Sequence, residues 1–290
     1  MNTTERLKKL TSLFEEVGCE AFFVTKLINI RYLTGFTGSA GKLWVTKDKA
    51  VLFTDGRYAE QAPAETENTS IEVVIQAQGF DKALKELSDG VTRLGLEAAS
   101  ITWEQQQQIS DWIPLVDLVP TAGLIEKIRE IKDSEELEHM KEAASIADKA
   151  LSVATEMFIS GTTEKHLAAV LDHEMRKHGA SDRSFETIVA AGSNSALPHA
   201  RPTDRPFEDG DLVICDFGAL IHGYHSDMTR SFRIGGSEEG QESEILHLVL
   251  NAQEEGLKTV VNGVAISDVD AACRTVIEEA GYGEQFLFCE

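Results

Sequence analysis

The segment CDFGALIHGYHSDMTRSF, residues 215–232, sets Asp216 and Asp227 on either side of a glycine-containing turn. The run LVICDFGAL before the turn is apolar enough for a buried strand, and the run after it leads back. A hairpin centred between Ile221 and His222 sets Asp216 directly opposite Asp227 on one face. Directly opposed Cβ atoms lie about 4.5–5.5 Å apart. Two ionised carboxylates at that distance repel, and burial adds a desolvation cost to each. A bound cation or a shared proton would offset both. The plainer reading leaves one aspartate at a solvent-facing edge, or sets a register in which the two never meet. The apolar character of the first strand argues for a buried Asp216.

His199, in NSALPHARP, precedes the hairpin by a loop and is placed to enter the same cleft. Alone it is a weak signal, because the chain has eight histidines. His222 and His225 flank the turn and read as solvated loop residues.

Two sets of elements must position these groups. Through about residue 125, helical and strand patterns alternate. A helical stripe runs Leu7, Leu10, Leu13, Phe14 and Val17, followed by short β-rich runs at 20–25, 41–46, 50–55, 70–76 and 92–98 and a helix at 79–90. This predicts an α/β domain whose sheet is covered by helices. From 126 to 290 the pattern is α-α-β-hairpin and then α-α. Asp133 and Glu136 fit a capping box for a long helix, and Thr162 or Thr163 caps a second that stops at Gly179. A strand at 185–192 and the hairpin at 211–235 follow. A helix over 240–261 then turns Val249, Leu257, Val260 and Val261 inward, and a last helix opens at Ser267 with Asp270 as its cap partner.

The formal charge of −22 argues against nucleic acid or an anionic membrane as partner. Four cysteines without paired spacing suit a reducing compartment, and no apolar run approaches the length of a membrane span. These features predict a soluble, cytoplasmic protein.

The stretch FETIVAAGSNSALPHARPTDRPFEDGDLVICDFGALIHGYHSDMTRSF, residues 185–232, resembles the pita-bread metallopeptidases, in particular their Xaa-Pro aminopeptidase and prolidase branch. NIRYLTGFTGSAG (29–41) and LFTDGRY (52–58) resemble the creatinase-like N-terminal domain of the same proteins. The resemblance implies an α/β N-terminal domain followed by an α+β pita-bread domain. It also implies two divalent metal ions, manganese or cobalt before zinc, held by two aspartates, a histidine and two glutamates. Asp216 and Asp227 match the two aspartates, and His199 matches the histidine that meets substrate or steadies the oxyanion. The implied reaction is metal-assisted attack of water on the bond between an N-terminal residue and proline, in peptides or dipeptides. A homodimer is compatible with this.

In the family, GYGxxF leads into a His-x-x-Gly-His strand and two glutamate-bearing strands. Here GYGEQF is followed by LFCE. The expectation is therefore an incomplete pita-bread domain that supplies two of five ligands, exposes the apolar faces of its last helices and is inactive by itself. A non-catalytic peptide- or protein-binding relative is the alternative. A metal-free hydrolase of the creatinase kind is a third reading, against which the retained aspartates speak.

Overall fold

The computed structural model describes residues 3–76, 79–235 and 240–286. The chain divides into two compact units, 1–135 and 136–290.

The first unit runs α1 (Thr3–Ser12), α2 (Phe14–Val17), β1 (Ala21–Val24), α3 (Leu27–Thr34), β2 (Lys42–Thr46), β3 (Ala50–Thr54), α4 (Gln61–Thr66), β4 (Ile71–Ile75), α5 (Phe80–Leu87), β5 (Arg93–Glu97), α6 (Trp103–Trp112), β6 (Asp117–Thr121) and α7 (Leu124–Glu130). Among the described residues its strands form one mixed sheet in the order β4-β3-β2-β1-β5-β6. Side-chain alternation along each strand sorts two cores onto its two faces. Phe22, Leu43, Val45 and Leu52 join Leu10, Phe14, Leu33, Ile125 and Ile128 of the helices on one side. Phe23, Trp44, Val51, Phe53 and Leu94 join Leu84, Ile109 and Ile113 on the other. The sequence placed the domain division near residue 125. The unit extends to Glu135 because the α7 stripe Leu124, Ile125 and Ile128 is part of its first core.

Buried polar groups here are tied to backbone. The Glu97 carboxylate accepts from the amides of Thr25 (2.6 Å) and Lys26 (2.8 Å) and from Asn29 Nδ2 (2.8 Å), fixing the start of α3. Asn29 also donates to Glu126. Burial pushes the Glu126 carboxyl up, but Lys26 and Asn29 outweigh it and hold its pKa at about 2.

The second unit contains α8 (Ser134–Ala154), α9 (Glu164–Lys177), β7 (Asp182–Arg183), β8 (Ile188–Ala191), β9 (Leu212–Phe217), β10 (Ala219–Ile221), β11 (Tyr224–His225), β12 (Met228–Arg233), α10 (Gln241–Thr259) and α11 (Ile266–Glu279). Thr163 caps α9, its side chain accepting from the His166 amide. Two small antiparallel sheets form among the described residues, β12-β9-β8 and β11-β10-β7. Val213, Cys215 and Phe217 of β9 enter a core with Ala143, Ile146, Ala147 and Ala150 of α8 and Leu167, Leu171 and Met175 of α9.

The hairpin passes from one sheet to the other at Gly218. A Cβ there would lie 1.9 Å from the Ser226 carbonyl oxygen, so only glycine permits this approach. At the tip, His222 (φ 51°) and Gly223 (φ 83°) both adopt left-handed backbone between the paired residues Ile221 and Tyr224. This is a two-residue turn of the primed kind that suits strand twist.

The start of the last helix differs from expectation. The N-cap of α11 is Ala265, with no side-chain cap, so Ser267 lies inside the helix. Val249 and Leu257 of α10, and Val260 and Val261 just after it, are exposed rather than turned inward, although α10 packs on α11 with Ala252 and Ile277 buried.

Candidate active site

The centre of the hairpin turn decides how the two aspartates meet. It falls between His222 and Gly223, one residue later than the sequence reading, and the register changes accordingly. Asp216 pairs with Thr229 and Phe217 with Met228. Asp227 is therefore a diagonal neighbour of Asp216 rather than its direct partner. Both remain on one face: Ser226 and Met228 are buried, while Asp227 and Thr229 between and beyond them are exposed. Diagonal neighbours stand about 7–8 Å apart, so their mutual repulsion is weaker than in direct opposition.

Asp216 is half-buried, not buried as expected. The apolar content of β9 is spent on Val213, Cys215 and Phe217, which face α8 and α9, while Leu212, Ile214 and Asp216 line the partly open side. Thr229 Oγ1 donates to Asp216 Oδ1 (3.2 Å). Burial, with the Asp216 charge next to it, pushes the Cys215 thiol up to about 12, so it is inert as a nucleophile at neutral pH.

His199 is exposed on the loop after β8. The Ala200 amide donates to the Leu197 carbonyl (3.1 Å), so Pro198 and His199 are the central residues of a β-turn with proline in its favoured position. The loop returns toward the Asp216 end of the sheet. Arg201 Nη1 bonds Glu186 Oε2 (2.8 Å), just before Ile188, which pairs with Asp216.

Sequence reasoning missed what holds this loop. Glu164, fully buried at the first turn of α9, gathers both ends of it. Oε1 accepts from the Ala191 amide (2.8 Å) and Asn194 Nδ2 (3.0 Å), and Oε2 from the amide (2.8 Å) and hydroxyl (2.6 Å) of Thr203. Burial pushes its carboxyl up, but the bonds from Thr203, Ala191 and Asn194 outweigh that and hold it below the ordinary glutamate value. A second clamp joins Arg205 to Asp211 (2.6 and 2.9 Å) just before β9. No local pattern announces Glu164, because its partners lie 27 to 39 residues away.

His222, read as a solvated turn residue, is exposed, but its ring centroid lies 4.7 Å from that of His139 on α8.

A family model for the creatinase/prolidase N-terminal domain matches residues 6–131, and one for metallopeptidase family M24 matches residues 138–288. The chain belongs to that metallopeptidase family. It is 32% identical to an Xaa-Pro dipeptidase of Pyrococcus furiosus over 98% of its own length and 80% of the relative's. An Xaa-Pro dipeptidase from Bacillus anthracis superposes with a TM-score of 0.92 at 36% identity, over 98% of this chain and 79% of that one. An X-Pro aminopeptidase from Thermotoga maritima gives 0.87 at 32%, over 93% and 78%. The fold is thus a creatinase-like N-terminal domain followed by a pita-bread domain. Membership implies divalent metal ions and peptide hydrolysis. Among the described residues no helix is long and apolar enough to cross a membrane.

Proposed function

We propose that this metallopeptidase acts on Xaa-Pro bonds, at the N-terminus of peptides or in dipeptides, with Asp216 and Asp227 as metal ligands and His199 as the residue that meets substrate. The observation that carries the proposal is the register that keeps both carboxylates on the partly open face of β9 and its neighbour. The names of the similar dipeptidases and aminopeptidase supply the substrate class.

The donor set fits the metal. It consists of carboxylate oxygens, Asp216 half-buried and Asp227 exposed, and such oxygens favour harder divalent ions such as manganese and cobalt, with zinc compatible. Bound there, the ions would polarise the scissile carbonyl and lower the pKa of an attacking water. Thr229 restrains the Asp216 carboxylate. Glu164 and the Pro198–His199 turn hold the imidazole at the tip of a fixed loop, from which it can donate to a substrate oxygen.

Calorimetry with Mn²⁺ tests the ligand assignment. The D216N and D227N exchanges should each weaken binding, and unchanged affinity in both would overturn it. Hydrolysis of an Xaa-Pro dipeptide that stops with chelator would support the peptidase reading and overturn the expectation that this chain alone is inactive. Specific Xaa-Pro peptide binding without turnover, unaffected by chelator, would favour the non-catalytic alternative.

A further inference from the structure

The tip of the hairpin and the outer face of α8 bring together three metal-binding side chains unconnected with the aspartate pair. His139 and Glu142 are three residues apart on α8, so they project from one side of the helix. His222 comes from the two-residue turn. One ligand atom from each of the three lies within 4.8 Å of the others. His222 Nε2 is 3.7 Å from Glu142 Oε2.

The fold fixes this approach independently of any attraction between the three. On one side of His222, Tyr224 donates its hydroxyl to Glu136 Oε1 (3.0 Å), one turn before His139 on α8. Beyond it, Ser226 Oγ donates to the Ala143 carbonyl (3.1 Å), next to Glu142. The hairpin is therefore bonded to α8 at two points that bracket the cluster. The His139 ring also lies against two rings of the hairpin, His222 (4.7 Å) and Tyr224 (5.4 Å).

His222 occupies left-handed backbone, which costs a residue with a Cβ energy that glycine avoids. Asparagine, aspartate or glycine is the common choice at such a turn position. The turn thus carries a metal-binding side chain that its backbone does not require, next to a histidine and a carboxylate.

We infer that His139, Glu142 and His222 form a second divalent-cation site that clips the hairpin to α8. Two imidazoles and one carboxylate suit a borderline ion, Zn²⁺ first, with water completing the coordination. This differs in kind from the all-oxygen pair Asp216 and Asp227. The inference does not rest on the peptidase reading.

The test is Zn²⁺ competition against a colorimetric chelator, using the full 290-residue chain. A background of D216N with D227N leaves only the second site in question. That background should still bind one equivalent of Zn²⁺ and melt at a higher temperature with Zn²⁺ than without. Adding H222N, which keeps a residue suited to the turn, should weaken the equivalent by about tenfold or more, since loss of a supporting outer contact alone often costs that much. The same loss is expected for H139Q, an exchange on the helix surface that leaves the turn untouched. With Co²⁺ as probe, visible absorption from imidazole ligation should be present in the background and absent in both variants. Absence of a Zn²⁺ equivalent in the D216N/D227N background would overturn the inference. Unchanged affinity in both H222N and H139Q would do the same.

Discussion

The sheet of the first unit has a core cluster on each face, whereas among the described residues the sheet holding β9 in the second has one on a single face. In the first, Trp44 and Leu43, adjacent on β2, are both fully buried, each in a different core. In the second, Phe217 is fully buried while Asp216, its neighbour, is half-exposed and stands across from an exposed Thr229. Alternation is the same in both strands, and only what lies over each face differs. A sheet closed on both sides carries a charge only where hydrogen bonds hold it, as Thr25, Lys26 and Asn29 hold Glu97 at the end of β5. One left partly open can carry two carboxylates at a desolvation cost small enough to tolerate. The chemistry proposed for the chain sits on the side of β9 where Leu212, Ile214 and Asp216 are half-buried, and the buried Val213, Cys215 and Phe217 anchor the strand from its other side.

Truncation in either closed region should produce the largest effects. Trp44→Ala and Phe217→Ala each remove a fully buried aromatic ring and should cost about 3–5 kcal/mol in urea unfolding. If Phe217→Ala costs less than about 1 kcal/mol, the α8–α9 core is not what holds β9, and the contrast between its faces fails.

The next effect concerns the loop beside the open face. Glu164→Gln keeps the shape but replaces one acceptor oxygen by an NH2 group that cannot accept from these donors, and should cost about 1–3 kcal/mol. Its pH dependence has a definite sign. The folded carboxyl lies below its unfolded value, so its contribution is present above the unfolded pKa and is lost as pH falls through the folded one. The wild-type minus Glu164→Gln stability difference should therefore shrink in acid, and a difference constant from neutral pH into the acid range would contradict the clamp.

Asp216→Asn should change stability least, within about 0.5 kcal/mol, because the group is half-exposed and loses a like-charged neighbour. Its effect should appear in Mn²⁺ affinity instead. A destabilisation as large as that of Phe217→Ala would show that the open face carries the fold after all.

Much of the architecture was legible in local pattern. The strands at 21–24, 42–46, 50–54, 71–75 and 93–97 fall inside the runs read from β-rich composition, and the long helices follow their apolar stripes. The apolar positions Val249 and Leu257 of α10 were legible as well, and both stand exposed. The hairpin register was not. Gly223 after His222 was the available signal for a turn centred there, but choosing between adjacent centres depends on which residues adopt positive φ. That one-residue change of centre moved Asp227 from direct to diagonal neighbour of Asp216 without changing its face, so the candidate pair survived while its geometry did not.

Although α3, α4, α6 and β6 were not read from it, the sequence by itself determined the order of strands β1 to β5, the class of each domain and the residue types available for chemistry. These follow from periodicities of two and 3.6 residues and from motifs a few residues long. Tertiary structure alone decided that Glu164 holds the His199 loop, that Asp216 is only half-buried, and that His222 lands beside His139 and Glu142. The Glu164 and His222 contacts join residues dozens of positions apart. Their closeness is set by turn dihedrals and by which face of a strand meets a helix, and no local spacing encodes either.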